Sequence, residues 1–268
     1  GAVPGIKVDT GAKDLANSLD EKVTEGLDGL RERLKKYYEL GARFTKWRGV
    51  YNISEKYPSQ LAINSNAHAL ARYSALVQEC GMVPIVEPEV LMDGEHSAED
   101  CLIKTSEVIQ KCFEELIIHK IDLTGIILKP NMILAGNKSK NKISNEEVSF
   151  KTLECLKKSV PIEVPGVAFL SGGQSEIEAT ENLNLINKYK NYYLITGLTL
   201  WLFRPTGNDF YIIFVLLYFI SIFVNNITLI NDPPINIKAI KIIIYIYDEI
   251  NKETIYDVKI KSGKINLM

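Results

Sequence analysis

Histidine and cysteine are scarce in this chain of 268 residues, and neither falls in a metal-binding or redox pattern. The four cysteines, Cys80, Cys101, Cys112 and Cys155, include no C-x-x-C pair. They read as reduced thiols of a cytoplasmic protein, not as a disulfide frame or zinc site. The three histidines, His68, His96 and His119, stand far apart and away from the strand ends, so they read as surface or helix-packing residues. No metal centre and no cofactor is expected. Excess charge is also lacking: a net charge of −2 gives no global attraction to nucleic acid. No signal peptide and no initiator methionine precede the first strand-like run, so further chain is expected upstream of Gly1. The apolar run from Phe210 to Val224 falls short of the ~20 residues that a spanning helix needs.

What is present is a repeat. With 46% hydrophobic residues the chain can bury a substantial core. Five apolar runs each end in a charged or hydroxyl group: Val3 to Lys7, Ala42 to Arg48, Val83 to Glu89, Thr124 to Lys129 and Val167 to Ser171. Steps from Lys7 to Lys46, Glu87, Lys129 and Ser171 are all about 40 residues, the period of a repeated supersecondary unit. Between the runs lie helix signals. Ser97-Ala-Glu-Asp100, Ser144-Asn-Glu-Glu147 and Ser175-Glu-Ile-Glu178 are capping boxes, and helices over about 27–40 and 61–80 stop at Gly41 and Gly81. Strands alternating with helices predict a parallel sheet whose polar strand ends converge on one face, the layout of a (β/α) barrel active site.

The strand ends carry a specific chemistry. An ammonium at the end of a buried strand is costly to desolvate, and the cost is relieved if the amine of Lys129 is neutral. A neutral lysine attacks carbonyl carbons and gives a Schiff base that serves as an electron sink. Alternation along Thr45-Lys-Trp-Arg48 sends Lys46 and Arg48 to one side and Trp47 to the other. A second lysine near Lys129 would disfavour its protonation. Glu87 and Glu89 also share a side, where a carboxylate can shuttle the protons of imine formation or simply neutralise the lysines. Ser171-Gly172-Gly173 stands at a strand-to-helix turn, where backbone N–H groups can approach a phosphate.

Taken together, Gly5-Ile-Lys-Val-Asp9, Gly26-Leu-Asp-Gly29, Phe44-Thr-Lys-Trp-Arg48, Val83-Pro-Ile-Val-Glu-Pro-Glu89, Leu128-Lys-Pro-Asn-Met132 and Phe169-Leu-Ser-Gly-Gly-Gln-Ser-Glu176 closely resemble the class I fructose-bisphosphate aldolases over about residues 1 to 190. The resemblance implies that Lys129 is the Schiff-base lysine, Glu87 the principal acid/base and Lys46 its electrostatic neighbour. It makes Glu89 a supporting carboxylate, Arg48 and Lys7 contacts to one phosphate, and Ser171, Gly172 and Gly173 the cradle for the other. The substrate implied is a phosphorylated sugar, and the assembly a homotetramer.

The departures from the family pattern are as specific as the matches. Two barrel strands that precede the one carrying Lys7 in the family, the first with a catalytic aspartate, are not found here. No Ser-Tyr-Gly-Arg segment follows Tyr192 to Leu200, and the terminal residue is Met268, not tyrosine. The expected fold is therefore a partial (β/α)8 barrel, about strands 3 to 7, over residues 1–198, with an unrelated Ile/Asn/Tyr-rich extension over 199–268. Three readings of the run 210–224 stay open: a membrane anchor, a buried core element, or an extension encoded by AT-rich non-coding sequence. A hairpin is expected around Ser262-Gly263. Alternatives to catalysis are a binding scaffold and a membrane-tethered form; a different Schiff-base lyase fits the motif order poorly.

Overall fold

A computed structural model describes residues 3–189 and, beyond them, the backbone of four short strands. Chain order is β1 (Val3–Lys7), β2 (Gly11–Asp14), β3 (Lys22–Glu25), α1 (Leu30–Glu39), β4 (Phe44–Tyr51), α2 (Gln60–Glu79), β5 (Val83–Val90), α3 (Ala98–Ile118), β6 (Ile127–Leu128), α4 (Asn145–Ser159) and α5 (Glu176–Tyr189), then β7 (Ile212–Val215), β8 (Ile242–Ile246), β9 (Thr254–Lys261) and β10 (Lys264–Leu267). The chain divides into two units, a larger one of Pro4–Ile213 and a second of Gly1–Val3 with Phe214–Met268.

The larger unit is α/β. Within it β1, β4, β5 and β6 pair in parallel, in the order β6-β5-β4-β1, with registers Lys7↔Lys46, Arg48↔Glu87 and Val86↔Leu128. Each parallel strand thus lies beside the next one of the repeat, as in a partial barrel wall. The run 167–171 forms no full strand; it joins the wall through one bridge, Leu128↔Val167, made by Leu128 N–H to Gly166 O and Ala168 N–H to Leu128 O, and one further bond, Leu170 N–H to Pro130 O. The run expected from Thr124 shortens to β6, because Asp122 caps a 3-10 turn over Leu123–Gly125 through the Thr124 N–H.

Local chemistry explains the helices. Ser97 and Ser144 make reciprocal capping boxes with Asp100 and Glu147, and Ser175 does the same with Glu178. Helix α1 starts three residues later than its periodicity suggests, because Gly29 holds a left-handed φ of 61° and delays the first turn. Trp47 points away from Lys46 into the helix layer, fully buried, its ring centroid 5.5 Å from that of Tyr73 on α2. One continuous cluster, including Leu30, Leu70, Val86, Phe113, Leu128 and Phe169, fills the space between sheet and helices. Each such side chain removed from water stabilises the fold by about 1.5–3 kcal/mol.

The polar hairpin β2/β3, register Gly11↔Glu25, was not expected from the sequence pattern. It is anchored by Asn66 of α2, which accepts from Thr24 N–H and donates to Lys22 O. In the second unit β8, β9 and β10 form an antiparallel sheet in which Lys261 faces Lys264, the hairpin expected around positions 262–263. Of the run 210–224, only the backbone of β7 is described, and the choice among anchor, core and extension lies outside the described residues. Among the described residues no helix is long and apolar enough to cross a membrane.

Candidate active site

Neighbouring β4 and β5 and the residue after β6 bring Lys46, Glu87 and Lys129 together: Glu87 stands opposite Arg48 in register, and Lys46, two residues earlier on β4, reaches it with its long side chain. Lys129 Nζ donates to Glu87 Oε1 at 2.8 Å, and Lys46 Nζ lies 2.7 Å from Glu87 Oε2. The three side chains are 1–2% exposed, so two ammonium groups and one carboxylate share a nearly dry site. Burial would raise the Glu87 carboxyl, but the charges of Lys46 and Lys129 outweigh it and hold the group below its ordinary value. Lys129 moves the other way: burial, with help from Lys46, pulls its amine below the usual lysine range against the attraction of Glu87. Charge counting gives the same answer. With Glu87 ionised, one ammonium balances it, and loss of a proton from Lys129 leaves a neutral group of three.

Two residues further along the same strands, Arg48 ion-pairs with Glu89. Burial raises the Glu89 carboxyl more than Arg48 lowers it. Arg48 is 40% exposed at its side chain, so it meets solvent where Lys46, Glu87 and Lys129 do not. Lys7 does not reach this group. Its Nζ turns onto Asp9, 2.5 Å from Oδ1, at the end of β1.

Asp9 is a site residue that the sequence pattern did not single out. Its side chain is 2% exposed, Oδ1 accepts from Gly11 N–H and Oδ2 from Arg48 N–H, so it ties Lys7 to β4. The signal was present: Lys7 and Asp9 are two apart and share a face of the strand. Asn131 was also missed. Its Oδ1 accepts from Val90 N–H at 2.9 Å and its Nδ2 donates to Thr105 Oγ1 at 3.1 Å, which locks the chain just after Lys129 to β5 and α3.

Ser171, Gly172 and Gly173 form a turn, with φ of 60° and 87° at the glycines. Ser171 O accepts from both the backbone and side-chain amides of Gln174, and the turn leads into the capped start of α5. A Cβ on Gly173 would lie 2.7 Å from Met92 Sδ, so the turn sits tightly against the loop after β5. No direct contact joins the Ser171 side chain to Lys129 among the described hydrogen bonds.

The family model of class-I fructose-bisphosphate aldolase matches residues 1–198. The chain belongs to the class-I fructose-bisphosphate aldolase family. It is 52% identical over 190 residues to fructose-bisphosphate aldolase 4, cytosolic, of Arabidopsis thaliana, covering 71% of this chain and 48% of that protein. It is 51% identical over 191 residues to a probable fructose-bisphosphate aldolase class 1 of Xanthomonas campestris, covering 71% of this chain and 57% of the relative. Among solved structures, a ternary co-crystal of fructose-bisphosphate aldolase from Plasmodium falciparum superposes with a TM-score of 0.72 at 46% identity, covering 74% of this chain and 58% of that one. The chain spans about half the length of the curated relatives it matches.

Away from this site, His68 and His119 are surface and helix-packing residues, as the sequence suggests, but across 51 positions of sequence their ring centroids come to 4.9 Å from one another, with Glu115 beside both. Packing of α2 on α3 closes a distance that sequence spacing could not show.

Proposed function

We propose that this site carries out the reversible aldol cleavage of fructose 1,6-bisphosphate through an imine on Lys129. The observation that carries the reading is the buried Lys129 amine, its basicity lowered, hydrogen-bonded to a carboxylate that also holds Lys46. In this reading the amine adds to the ketone carbon, and Glu87 transfers the protons by which the carbinolamine loses water. With Glu87, ionised again, taking the proton of the C4 hydroxyl, the protonated imine draws in the electron pair of the breaking C3–C4 bond, releasing glyceraldehyde 3-phosphate and leaving an enamine. Protonation and hydrolysis of that enamine release dihydroxyacetone phosphate and restore the free amine. Lys46 keeps positive charge beside Lys129 and favours its neutral form.

Arg48, with Lys7 tied to its backbone through Asp9, is assigned to one phosphate, and Glu89 sets the position of the Arg48 guanidinium. Ser171, Gly172 and Gly173 are assigned to the other, where the turn aims backbone N–H groups ahead of α5. Residues 1–198 are assigned to the catalytic segment and 199–268 to an extension without a part in catalysis, which agrees with the span of the family match. A cytosolic location agrees with the names of the two Arabidopsis relatives.

Borohydride reduction in the presence of dihydroxyacetone phosphate tests the assignment. The expected result is a covalent adduct on Lys129, located by peptide mass mapping and abolished in Lys129→Ala. An adduct on another lysine would overturn it.

A further inference from the structure

On the outer layer, α2 and α3 bring three metal-ligating side chains together without help from the catalytic residues. His68 lies in α2, and Glu115 and His119 lie one turn apart on α3 and its cap, hence on one face. His68 Nδ1 is 3.3 Å from Glu115 Oε2, and His119 Nδ1 is 3.9 Å from the same oxygen. One ligand atom from each residue falls within a span of 4.8 Å.

We propose that His68, Glu115 and His119 bind a borderline divalent transition-metal ion, with Zn2+ and its neighbours Co2+, Ni2+ and Cu2+ as the chemical class.

Donor chemistry favours this class. Two imidazoles and one carboxylate suit zinc and its neighbours, whereas magnesium and calcium take oxygen ligands. The surrounding bonds also prepare the ligands. His119 Nδ1 lies 2.9 Å from Glu115 O, and a carbonyl can only accept, so Nδ1 is the donor there and Nε2 is the ring atom left to ligate an ion. This is the carbonyl-to-imidazole support typical of metal-ligating histidine. Lys111 Nζ lies 3.2 Å from Glu115 Oε1, which leaves Oε2 turned toward the two rings.

Closing the three atoms onto one ion at bonds of about 2.0–2.1 Å requires a modest rotation. His68 is free to make it, because its side chain is 53% exposed. His119 also lines a cavity of about 330 Å3 shared with Arg31, Arg72 and Glu79, through which water can complete the coordination. The last turn of α3 leads through Leu123–Gly125 into the start of β6, so the cluster lies toward the face opposite the strand ends that carry Glu87 and Lys129. An ion there would clamp α2 to α3 and act on stability.

Calorimetric titration of the full chain with ZnCl2 tests the proposal, with Cu2+ electron paramagnetic resonance as a second reading. Expected are saturation at one ion per chain, nitrogen coupling from two imidazoles, and a rise in Tm on adding zinc. In His68→Ala, which removes a half-exposed ring and whose fold is checked by circular dichroism, affinity should fall at least about tenfold and the Tm rise should vanish. Glu115→Gln should weaken binding too. Zinc affinity unchanged in His68→Ala, or lost in Cys80→Ser with all three ligands intact, would overturn it.

Discussion

Lys46, Glu87 and Lys129 set two positive groups against one negative group in a space almost without water, and each variant there has a sign that follows from charge. Lys46→Met removes the cation that disfavours a protonated Lys129 and leaves Glu87 wholly to Lys129, so the rate of borohydride trapping against pH should shift to higher pH. Glu87→Gln removes the group that favours the ammonium, so the same profile should shift to lower pH while turnover falls about 100-fold or more from loss of proton transfer. Shifts in the same direction for both variants would contradict the arrangement. These three residues were legible in the sequence because an ionisable group ending a long apolar run is a rare event. Asp9 and Asn131 were not, since their importance lies in which backbone N–H each one accepts from, and that depends on the neighbouring strand. That His68 and His119 meet was illegible for the same reason: two helices had to pack first.

At the scale of elements, the loops that leave β5 and β6 behave as one piece. Gly136 N–H donates to His96 O, Asn137 N–H to Met92 O and Lys138 N–H to Gly94 O, and a Cβ on Gly136 would collide with Gly94 O. Gly136→Ala should therefore push the two loops apart at a cost of about 1–3 kcal/mol, read as a lower urea midpoint. Because Met92 in the same loop abuts Gly173, the variant should also raise KM for a bisphosphate substrate more than the fall in stability alone explains. Helices were the most legible elements: capping serines and terminal glycines are local signals, and α2, α3 and α4 follow them. Hairpin β2/β3 escaped notice because its strands, Gly-Ala-Lys-Asp and Lys-Val-Thr-Glu, lack apolar alternation and are held by Asn66 from another element. β6 shrank to two residues because its edges are set by a turn and a bridge, not by propensity.

At the scale of the whole molecule, the family match ends at residue 198 and the composition changes near the same place. A chain ending at residue 198 should keep the circular dichroism signature of its helices and still trap dihydroxyacetone phosphate on Lys129, with less aggregation than the full chain. Loss of cooperative unfolding in that variant would show that residues 199–268 are needed by the larger unit. The parallel strands have a further consequence for how the site comes into being. β1, β4, β5 and β6 each pair with the one before, so a ribosome releasing the chain from its N-terminus would present every new strand to a partner already made. Lys46 and Glu87 would then meet first and cancel one another, about 40 residues of synthesis before Lys129 arrives. The lysine that comes last docks against a pair with no charge left to offer it, and it enters most easily without its proton.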